Sequence, residues 1–399
     1  MRKDETGRVN PVLRNGGCAV FFSAHPWSGN PYGLHHIARA IAKTGAHVLF
    51  VEPPFSPLHV MARRRRGRVM SRGLRPSGEE NISLFSPFSL LPYLKFPLLG
   101  SRMALMLWPR FVLNRLAAAI KGTPFEHPGL LVCGASLFSS LVFDLKAEVR
   151  AFRLADDERL FDAVPASMRV QTMRDLGRYD VVFTTSTPLA HTARVNGARK
   201  VVKLPNGVDA ARFSEEQPLP QDLSALPSPR VIYVGALESW FDWGALSHAA
   251  AALPQASFVV IGEGAAPSSA LPDNVRLIGP RPHGEIAAYL AHCDVGIIPF
   301  RQDKGMTGLR SVDPIKLWEY LASGLPVVAS GNLALPDLPA SIQTYRTHVQ
   351  FTAAIRHALA AGRQPVSEEV KQRSWAKIVE NALKEAALQP FVSSGTDLG

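Results

Sequence analysis

The chain has 399 residues, and its composition of 46% hydrophobic and 19% charged residues excludes a disordered protein. At roughly 150 residues per domain, this length predicts two or three domains. The chain holds 44 basic and 33 acidic side chains, and residues 1–125 alone hold 18 basic and 5 acidic ones. The positive charge therefore belongs to one end of the chain, where it indicates a polyanionic partner, either nucleic acid or an anionic membrane.

The three cysteines, Cys18, Cys133 and Cys293, share no metal-ligand spacing and lie among apolar residues. This pattern predicts buried, reduced thiols in a cytoplasmic protein. The first ten residues lack the apolar core of a signal peptide. Prolines and cations interrupt the apolar tract 82–113, and a spanning helix needs about 20 continuous apolar residues, so no transmembrane helix is predicted.

The first predicted elements form a βαβ unit. The apolar run 18–24 predicts a buried strand, and after the loop 25–33 the apolar spacing of 34–45 predicts a helix that ends at Gly45. A second strand is predicted at 47–54. Because ligands gather at the carboxyl ends of strands in open α/β sheets, the loop after the first strand is a candidate site.

The following segment, 55–128, does not fit this pattern. It contains an arginine-rich run at 63–75 and an apolar tract at 85–120 that prolines and single cations interrupt. The α/β alternation then resumes, with strands predicted at 130–136, 149–157, 181–186 and 200–209.

A stretch rich in Pro, Ser and Glu at 214–229 predicts a linker between two domains. A second α/β series follows the linker, with strands predicted at 230–237, 256–264, 274–280, 294–300 and 325–330, and helices at 283–293 and 313–324. The two series predict an α/β protein with two doubly wound domains that face a cleft.

The most informative passage is 294–330, in which a buried strand and a polar loop lead to a helix that begins at Asp313 and Pro314. Lys316 and Glu319 are three residues apart and share one face of that helix. A lysine at this edge of a sheet can hold a phosphate, and a carboxylate can accept ribose hydroxyl protons. From the residues alone, a nucleotide site and a surface ion pair are equally good interpretations.

The residues VDPIKLWEYLASGLPVVAS in this passage resemble the nucleotide-binding signature of bacterial GT-B glycosyltransferases that make exopolysaccharides and cell-wall polymers. The segments YVGALESWFD, VIGEG, LIGPRPHGEIAAYL and PNGVD extend the similarity over most of the second half. The resemblance implies the GT-B fold, with two Rossmann-like domains, and a nucleotide-diphosphate sugar as donor. In that family the lysine contacts the diphosphate and the glutamate the ribose, and these roles fall on Lys316 and Glu319.

The resemblance also implies a division of the chain. Residues 1–213 would form the acceptor-binding domain, 214–229 the linker and 230–372 the donor-binding domain. The segment SWAKIVENALKEA resembles the family's closing helix, so residues 373–399 are expected to cross back to the first domain.

Two further residues are candidates for donor binding. Gly235 ends a strand, where a glycine either lets the backbone approach a phosphate or makes a tight turn. Arg281 follows a predicted strand. An arginine in this position can pair with a phosphate, stack on a base or simply be exposed. The sequence has no dinucleotide fingerprint, Walker lysine motif, D-x-D motif or zinc spacing. GT-B enzymes generally stabilise the leaving diphosphate without a metal, so we expect no cofactor and no metal, with UDP among the candidate carriers.

A catalytic base is needed to remove the acceptor hydroxyl proton in an inverting transfer. The resemblance implies Asp156, which corresponds to the base aspartate of the xanthan glucuronosyltransferase. Asp157 is a weaker candidate, and either carboxylate is also a common helix cap. His25 is the competing base. Trp27 and Gly29 belong to a loop that looks like the family's glycine-bearing loop near donor and acceptor.

One position departs from the retaining members of the family. These often carry a second glutamate eight residues before the ribose glutamate, where this chain has Ser311. The departure leaves retaining and inverting chemistry open. It favours the inverting type, similar to the xanthan glucuronosyltransferase and to teichuronic-acid-type glycosyltransferases.

The arginine run Arg63, Arg64, Arg65 and Arg66 is, in the plainest interpretation, a solvated loop. Nucleic acid is not favoured as a partner, because no binding motif accompanies the run and its neighbours are aliphatic. The apolar tract that follows predicts instead a membrane surface, where each arginine contributes about 1 kcal/mol near anionic lipid. Part of the same tract is expected to belong to the domain core.

These features together predict a hexosyl- or glycuronosyltransferase that moves a sugar to a saccharide linked to polyprenyl diphosphate. The protein would bind peripherally to the inner, cytoplasmic face of the cell membrane. Two alternatives stay open: a nucleotide-sugar epimerase of GT-B fold, which needs no membrane surface, and a non-catalytic protein that binds nucleotide or membrane.

Overall fold

The computed structural model describes residues 17–54, 73–88, 112–158, 164–333 and 342–388. These residues divide into two compact units. The first unit comprises the chain up to Pro205 together with the chain from Ile378 onwards, and the second runs from Asn206 to Lys377. The division therefore falls after Pro205, whereas the sequence predicts that the first domain ends at residue 213.

Short strands and helices alternate through both units. In the described residues the strands are β1 (Cys18–Phe22), β2 (His47–Val51), β3 (Arg75–Pro76), β4 (Ile82–Phe85), β5 (Leu130–Cys133), β6 (Val149–Leu154), β7 (Val181–Thr184), β8 (Val201–Lys203), β9 (Arg230–Val234), β10 (Ser257–Ile261), β11 (Val275–Leu277), β12 (Val295–Ile298), β13 (Val327–Ser330) and β14 (Ile342–Tyr345). The helices are α1 (Gly33–Ala42), α2 (112–120), α3 (Ala166–Asp175), α4 (Thr187–Val195), α5 (Ala210–Ser214), α6 (Gln221–Ser224), α7 (Trp243–Ala252), α8 (His283–Ala291), α9 (Ile315–Ala322), α10 (His348–Ala361), α11 (Glu368–Gln372) and α12 (Trp375–Glu385).

The first unit is built on an eight-stranded sheet in the order β3-β4-β2-β1-β5-β6-β7-β8. β3 pairs antiparallel with β4, and the other neighbouring strands are parallel. β1 reads CAVFF and β2 reads HVLFV, and all their residues except His47 are buried. Such continuous apolar strands are typical of a parallel sheet that is covered on both faces.

The end of the described chain packs in the first unit. The ammonium nitrogen of Lys200 donates to the carbonyl oxygen of Ala386 at 2.6 Å, and Val379 and Leu383 on α12 are buried. Helix α2 also belongs to this unit, because Leu116 and neighbouring apolar residues join its core. The predicted apolar tract 85–120 therefore supplies core side chains where the structure describes it.

The second unit has six parallel strands in the order β11-β10-β9-β12-β13-β14. Numbered within the unit this order is 3-2-1-4-5-6, the doubly wound arrangement that the sequence predicts. The stretch 214–229 is part of this unit and contains α6. Its Asp222 accepts a hydrogen bond from Arg281 at 2.7 Å, so this stretch packs on the second unit rather than linking two domains freely.

Three strands are absent from the sequence prediction. β3 and β4 lie in the segment that does not fit the α/β pattern. β4 has only four residues, with a turn before it and Ser86 and Pro87 after it. β14 is equally short and reads IQTY.

All three cysteines are free and buried, which confirms that part of the prediction. In the described residues no helix is long and apolar enough to cross a membrane.

Candidate functional site

The carboxyl edge of the sheet in the second unit carries the predicted donor residues. Strand order reverses at β9, which lies between β10 and β12. Open α/β sheets bind ligands at the carboxyl ends of the strands beside such a reversal. The chain leaves β9 through Gly235, and α9 brings Lys316 to the same place.

Lys316 lies in an aromatic setting at this edge. Its ammonium nitrogen donates to the hydroxyl of Tyr233 at 2.9 Å and lies 4.1 Å from the centre of the same ring. The ring of Phe300 lies 5.4 Å away. Burial lowers the pKa of Lys316 to about 7, and the negative charge of Glu319 acts against this shift. Lys316 can therefore gain or lose its proton near neutral pH.

Two glycines make room for this arrangement. Gly235 has φ +146°, and a Cβ atom there would overlap the ammonium nitrogen of Lys316. A Cβ atom on Gly262 would overlap the carbonyl oxygen of Gly235. Both positions require glycine because of close approach: the turns after β9 and β10 touch, and Lys316 fills the space above them.

Glu319 pairs with a histidine from another helix rather than with Lys316. Its Oε1 lies 2.6 Å from Nε2 of His283, the first residue of α8. The guanidinium of Arg212 contacts the same histidine at the carbonyl oxygen, 3.0 Å, and at Nδ1, 3.4 Å. The sequence interpretation of Lys316 and Glu319 as a surface ion pair is therefore not what the structure shows.

The start of α9 differs from the sequence prediction. The helix begins at Ile315, and Asp313 does not cap it. The Asp313 carboxylate is buried and accepts hydrogen bonds from Trp318 Nε1 (2.7 Å), the Asn206 amide (2.7 Å) and Arg373 Nη2 (3.1 Å). Asp313 therefore connects the first residues of the unit, helix α9 and the chain after α11, and it has no spare oxygen for an N-terminal amide.

Arg281, the fourth predicted donor residue, is engaged with other side chains. Its Nη2 donates to Asp222 at 2.7 Å and its Nε to the hydroxyl of Tyr289 at 2.9 Å, and Tyr289 donates in turn to Asp222. The three side chains line an open groove of about 710 Å³ on the second unit. In this structure Arg281 thus fixes the 214–229 stretch to α8.

In the first unit, the predicted loop after β1 contains one buried and two accessible candidates. Trp27 is buried against Phe50, with ring centres 4.8 Å apart, and its amide donates to Glu52 at 2.7 Å. The half-buried ring of His25 stacks on Tyr32 at 3.6 Å. Gly29 is exposed, with φ +119° and open space around its Cα.

Asp156 and Asp157 follow β6 at the carboxyl edge of the first sheet, and both are half-buried. The next residue, Glu158, was not predicted. Its Oε1 accepts a hydrogen bond from Ser136, and its Oε2 is buried with no partner among the described residues. Burial raises the pKa of Glu158, and the charges of both aspartates act in the same direction. Three carboxyl groups therefore gather where the sequence predicts a base.

Other predicted features lie outside the described residues or produce no site. Arg63, Arg64, Arg65 and Arg66 fall in the part of the chain that the structure does not describe. In the described residues, no group of three or more His, Cys, Asp or Glu side chains is placed to hold a metal ion.

The sequence prediction missed His283, Arg212 and Tyr233, because each contacts a residue that lies far away in the chain.

Comparison with known families covers the four residues that the sequence predicts to bind a donor. Residues 228–374 match the family model described as glycosyl transferases group 1. This part of the chain is therefore similar to the glycosyl transferases of group 1. It contains Gly235, Arg281, Lys316 and Glu319, the four residues predicted to bind a donor.

Two curated relatives agree with this family. A Bacillus subtilis (strain 168) protein named for teichuronic acid biosynthesis as a glycosyltransferase is 26% identical over 218 residues, covering 48% of this chain and 52% of that protein. The UDP-glucuronate:glycolipid 2-beta-glucuronosyltransferase of Xanthomonas campestris pv. campestris is 27% identical, covering 52% of this chain and 46% of that protein. The chain thus spans about half the length of these relatives. The matches confirm the predicted resemblance to exopolysaccharide and cell-wall glycosyltransferases.

The fold is shared over nearly the whole chain. An Anabaena protein crystallised with UDP and glucose superposes with a TM-score of 0.56 at 15% identity, covering 93% of this chain and 95% of that one. At this identity the likeness establishes the fold alone. It confirms the predicted α/β class and the GT-B fold, with two Rossmann-like domains.

Proposed function

We propose that this chain is a glycosyltransferase that moves a sugar from a nucleotide-diphosphate sugar to a lipid-linked saccharide, with inversion at the anomeric carbon. The second unit binds the donor, and the first unit binds the acceptor and supplies Asp156 as the base. The reaction as proposed uses no cofactor and no metal. The similarity of residues 228–374 to the glycosyl transferases of group 1 and the two named glycosyltransferase relatives support this class of enzyme.

The observation that carries the donor proposal is the position of Lys316. Its ammonium group lies beside Gly235, at the carboxyl end of β9, where the absence of a side chain makes room for it. A diphosphate bound there would meet a positive charge in a partly desolvated setting, in which a charge-assisted hydrogen bond is strong. Glu319, on the same face of α9, is the proposed acceptor of the ribose hydroxyl protons.

The proposed acceptor and membrane contact rest on charge. One relative is named for action on a glycolipid, which supports a lipid-linked acceptor. Residues 1–125 carry the basic excess, and the donor residues lie outside that segment. The proposal assigns this charge to the inner face of the cell membrane, where a polyprenyl diphosphate would hold the saccharide.

Donor binding is expected to depend on pH through Lys316. Its pKa is about 7 in the free protein, and a bound diphosphate favours the charged form, so binding takes up a proton above that pH. Affinity for the donor should fall as the pH rises through about 7. We expect Lys316→Ala to weaken binding about 10- to 100-fold below that pH and to remove the pH dependence. Calorimetric titration with UDP-, GDP- and dTDP-sugars measures both effects.

The matched control for this experiment is Lys371→Ala. Lys371 is an exposed lysine of the same unit that pairs with Glu368 at 2.7 Å, so this variant removes the same charge away from the proposed site. Unchanged affinity in the control and weakened affinity in the Lys316 variant support the donor site. If the Lys316 variant binds the donor as tightly as the Lys371 control, the proposed donor site is wrong. Interconversion of a donor sugar without transfer would identify an epimerase, and binding without any turnover a scaffold.

Vesicle binding tests the membrane proposal. Replacing Arg63, Arg64, Arg65 and Arg66 by glutamine should weaken sedimentation with vesicles that contain phosphatidylglycerol by about 100-fold or more, since each arginine contributes about 1 kcal/mol. Salt should weaken wild-type binding in the same way. The control variant replaces four exposed arginines of the second unit by glutamine: Arg276, Arg310, Arg346 and Arg356. Equal loss in both variants, or binding that salt does not change, contradicts the proposal.

A further inference from the structure

The contact between His283 and Glu319 joins two helices at the proposed donor site. Nε2 of His283, on α8, lies 2.6 Å from Oε1 of Glu319, on α9. Both side chains are largely shielded from solvent, with 18% and 7% of their surface exposed. A hydrogen bond to a carboxylate in such a setting holds the side chain firmly in one rotamer.

Arg212 determines which nitrogen of the ring carries the proton. Its Nη1 lies 3.4 Å from Nδ1 of His283, and its Nη2 donates to the carbonyl oxygen of the same residue at 3.0 Å. A guanidinium group can only donate hydrogen bonds, so Nδ1 must accept. The proton of the neutral ring then lies on Nε2 and is donated to Glu319.

This arrangement leaves the two carboxylate oxygens of Glu319 with different tasks. Oε1 is occupied by the imidazole, whereas among the described residues Oε2 accepts no hydrogen bond. We propose that His283, braced by Arg212, is a positioning residue that holds Glu319 so that Oε2 selects nucleotides with a ribose hydroxyl. This inference rests on the proposed function, because it assigns a task at the same donor site.

The test compares UDP with 2′-deoxy-UDP and 3′-deoxy-UDP by calorimetric titration. Wild-type protein is expected to bind at least one deoxy analogue about tenfold more weakly than UDP, and His283→Ala should reduce this ratio to about twofold. His283→Gln should retain most of the ratio, because its amide nitrogen can replace the Nε2 donor. The matched control is His348→Ala, which removes another histidine–carboxylate contact of the second unit, with Asp242 at 3.3 Å. It should leave the ratio unchanged.

The possible outcomes separate this inference from the proposed function. If the wild type binds UDP and His283→Ala keeps the full ratio, the inference is overturned and the proposed function stands. If the wild type does not distinguish the three nucleotides, the inference is overturned together with the proposed ribose contact of Glu319, whereas the proposed transfer reaction and the Lys316 site stand. If the wild type binds no UDP, UDP is not the carrier, and the comparison is made with GDP and its deoxy analogues. Binding of neither UDP nor GDP contradicts the proposed donor site and the inference together.

A second measurement needs no nucleotide. Nitrogen-15 NMR of the His283 ring in the free full-length protein should show the neutral form protonated at Nε2, and Arg212→Gln should weaken that preference. A ring protonated at Nδ1 in the wild type would overturn the inferred arrangement regardless of any binding result.

Discussion

Asp156→Asn is expected to lower turnover about 10²- to 10⁴-fold while leaving folding and donor affinity unchanged. Asp156 lies two residues after β6, at the carboxyl edge of the first sheet, and is half-buried. An amide keeps the size of the side chain but cannot take the proton from an acceptor hydroxyl. The loss should therefore appear in kcat, and not in the affinity for a nucleotide sugar.

The measurement is transfer of labelled sugar from UDP-glucose or UDP-glucuronate into a bacterial lipid extract. Asp157→Asn is the matched control, because it makes the same chemical change one residue away and should reduce turnover less than tenfold. Glu158→Gln tests the carboxyl group that the sequence did not predict. Undiminished turnover of the Asp156 variant contradicts the base assignment, and loss of turnover in His25→Ala alone would move the assignment to His25.

The sequence predicted the elements that periodicity alone determines. Every strand from β5 to β13 was expected close to its observed position, most of them from short apolar runs of the kind that a covered parallel sheet buries. β8 and β11 have only three residues each, so their predicted bounds were too long. β4 and β14 were not expected, since ISLF and IQTY have only four residues and mixed polarity. Such strands form because a neighbouring strand offers hydrogen bonds, and a local pattern does not record that neighbour.

The candidate site was predicted residue by residue, but not its contacts. The spacing of Lys316 and Glu319 places both on one face of a helix, and the structure has them there. Their partners, Tyr233 and His283, come from 83 and 36 residues away, so no local pattern could identify them. Asp313 shows the converse error: its residue type favours a helix cap, yet tertiary contacts with Arg373 and Trp318 take its oxygens.

Asp313→Ala is expected to destabilise the protein by about 3–5 kcal/mol in its free energy of unfolding. Asp313 is 4% exposed, and its carboxylate accepts from Trp318, Arg373 and the Asn206 amide. The guanidinium of Arg373 stacks on Trp318 at 3.4 Å and is itself largely buried. Burial lowers the pKa of Arg373 and the Asp313 charge acts against this, so the variant leaves a buried cation without its counter-ion.

Urea unfolding of the full chain, followed by circular dichroism, measures this loss against Asp303→Ala. Asp303 also pairs with an arginine, Arg301 at 2.6 Å, but both side chains are about half exposed. Water screens that pair, so its removal should cost less than about 1 kcal/mol. The two variants delete the same group from the same unit, and burial is the main difference between them. Equal losses of stability would show that the Asp313 network does not stabilise the second unit. A loss confined to Asp313→Ala would show that this network holds α9, and with it Lys316 and Glu319, in place.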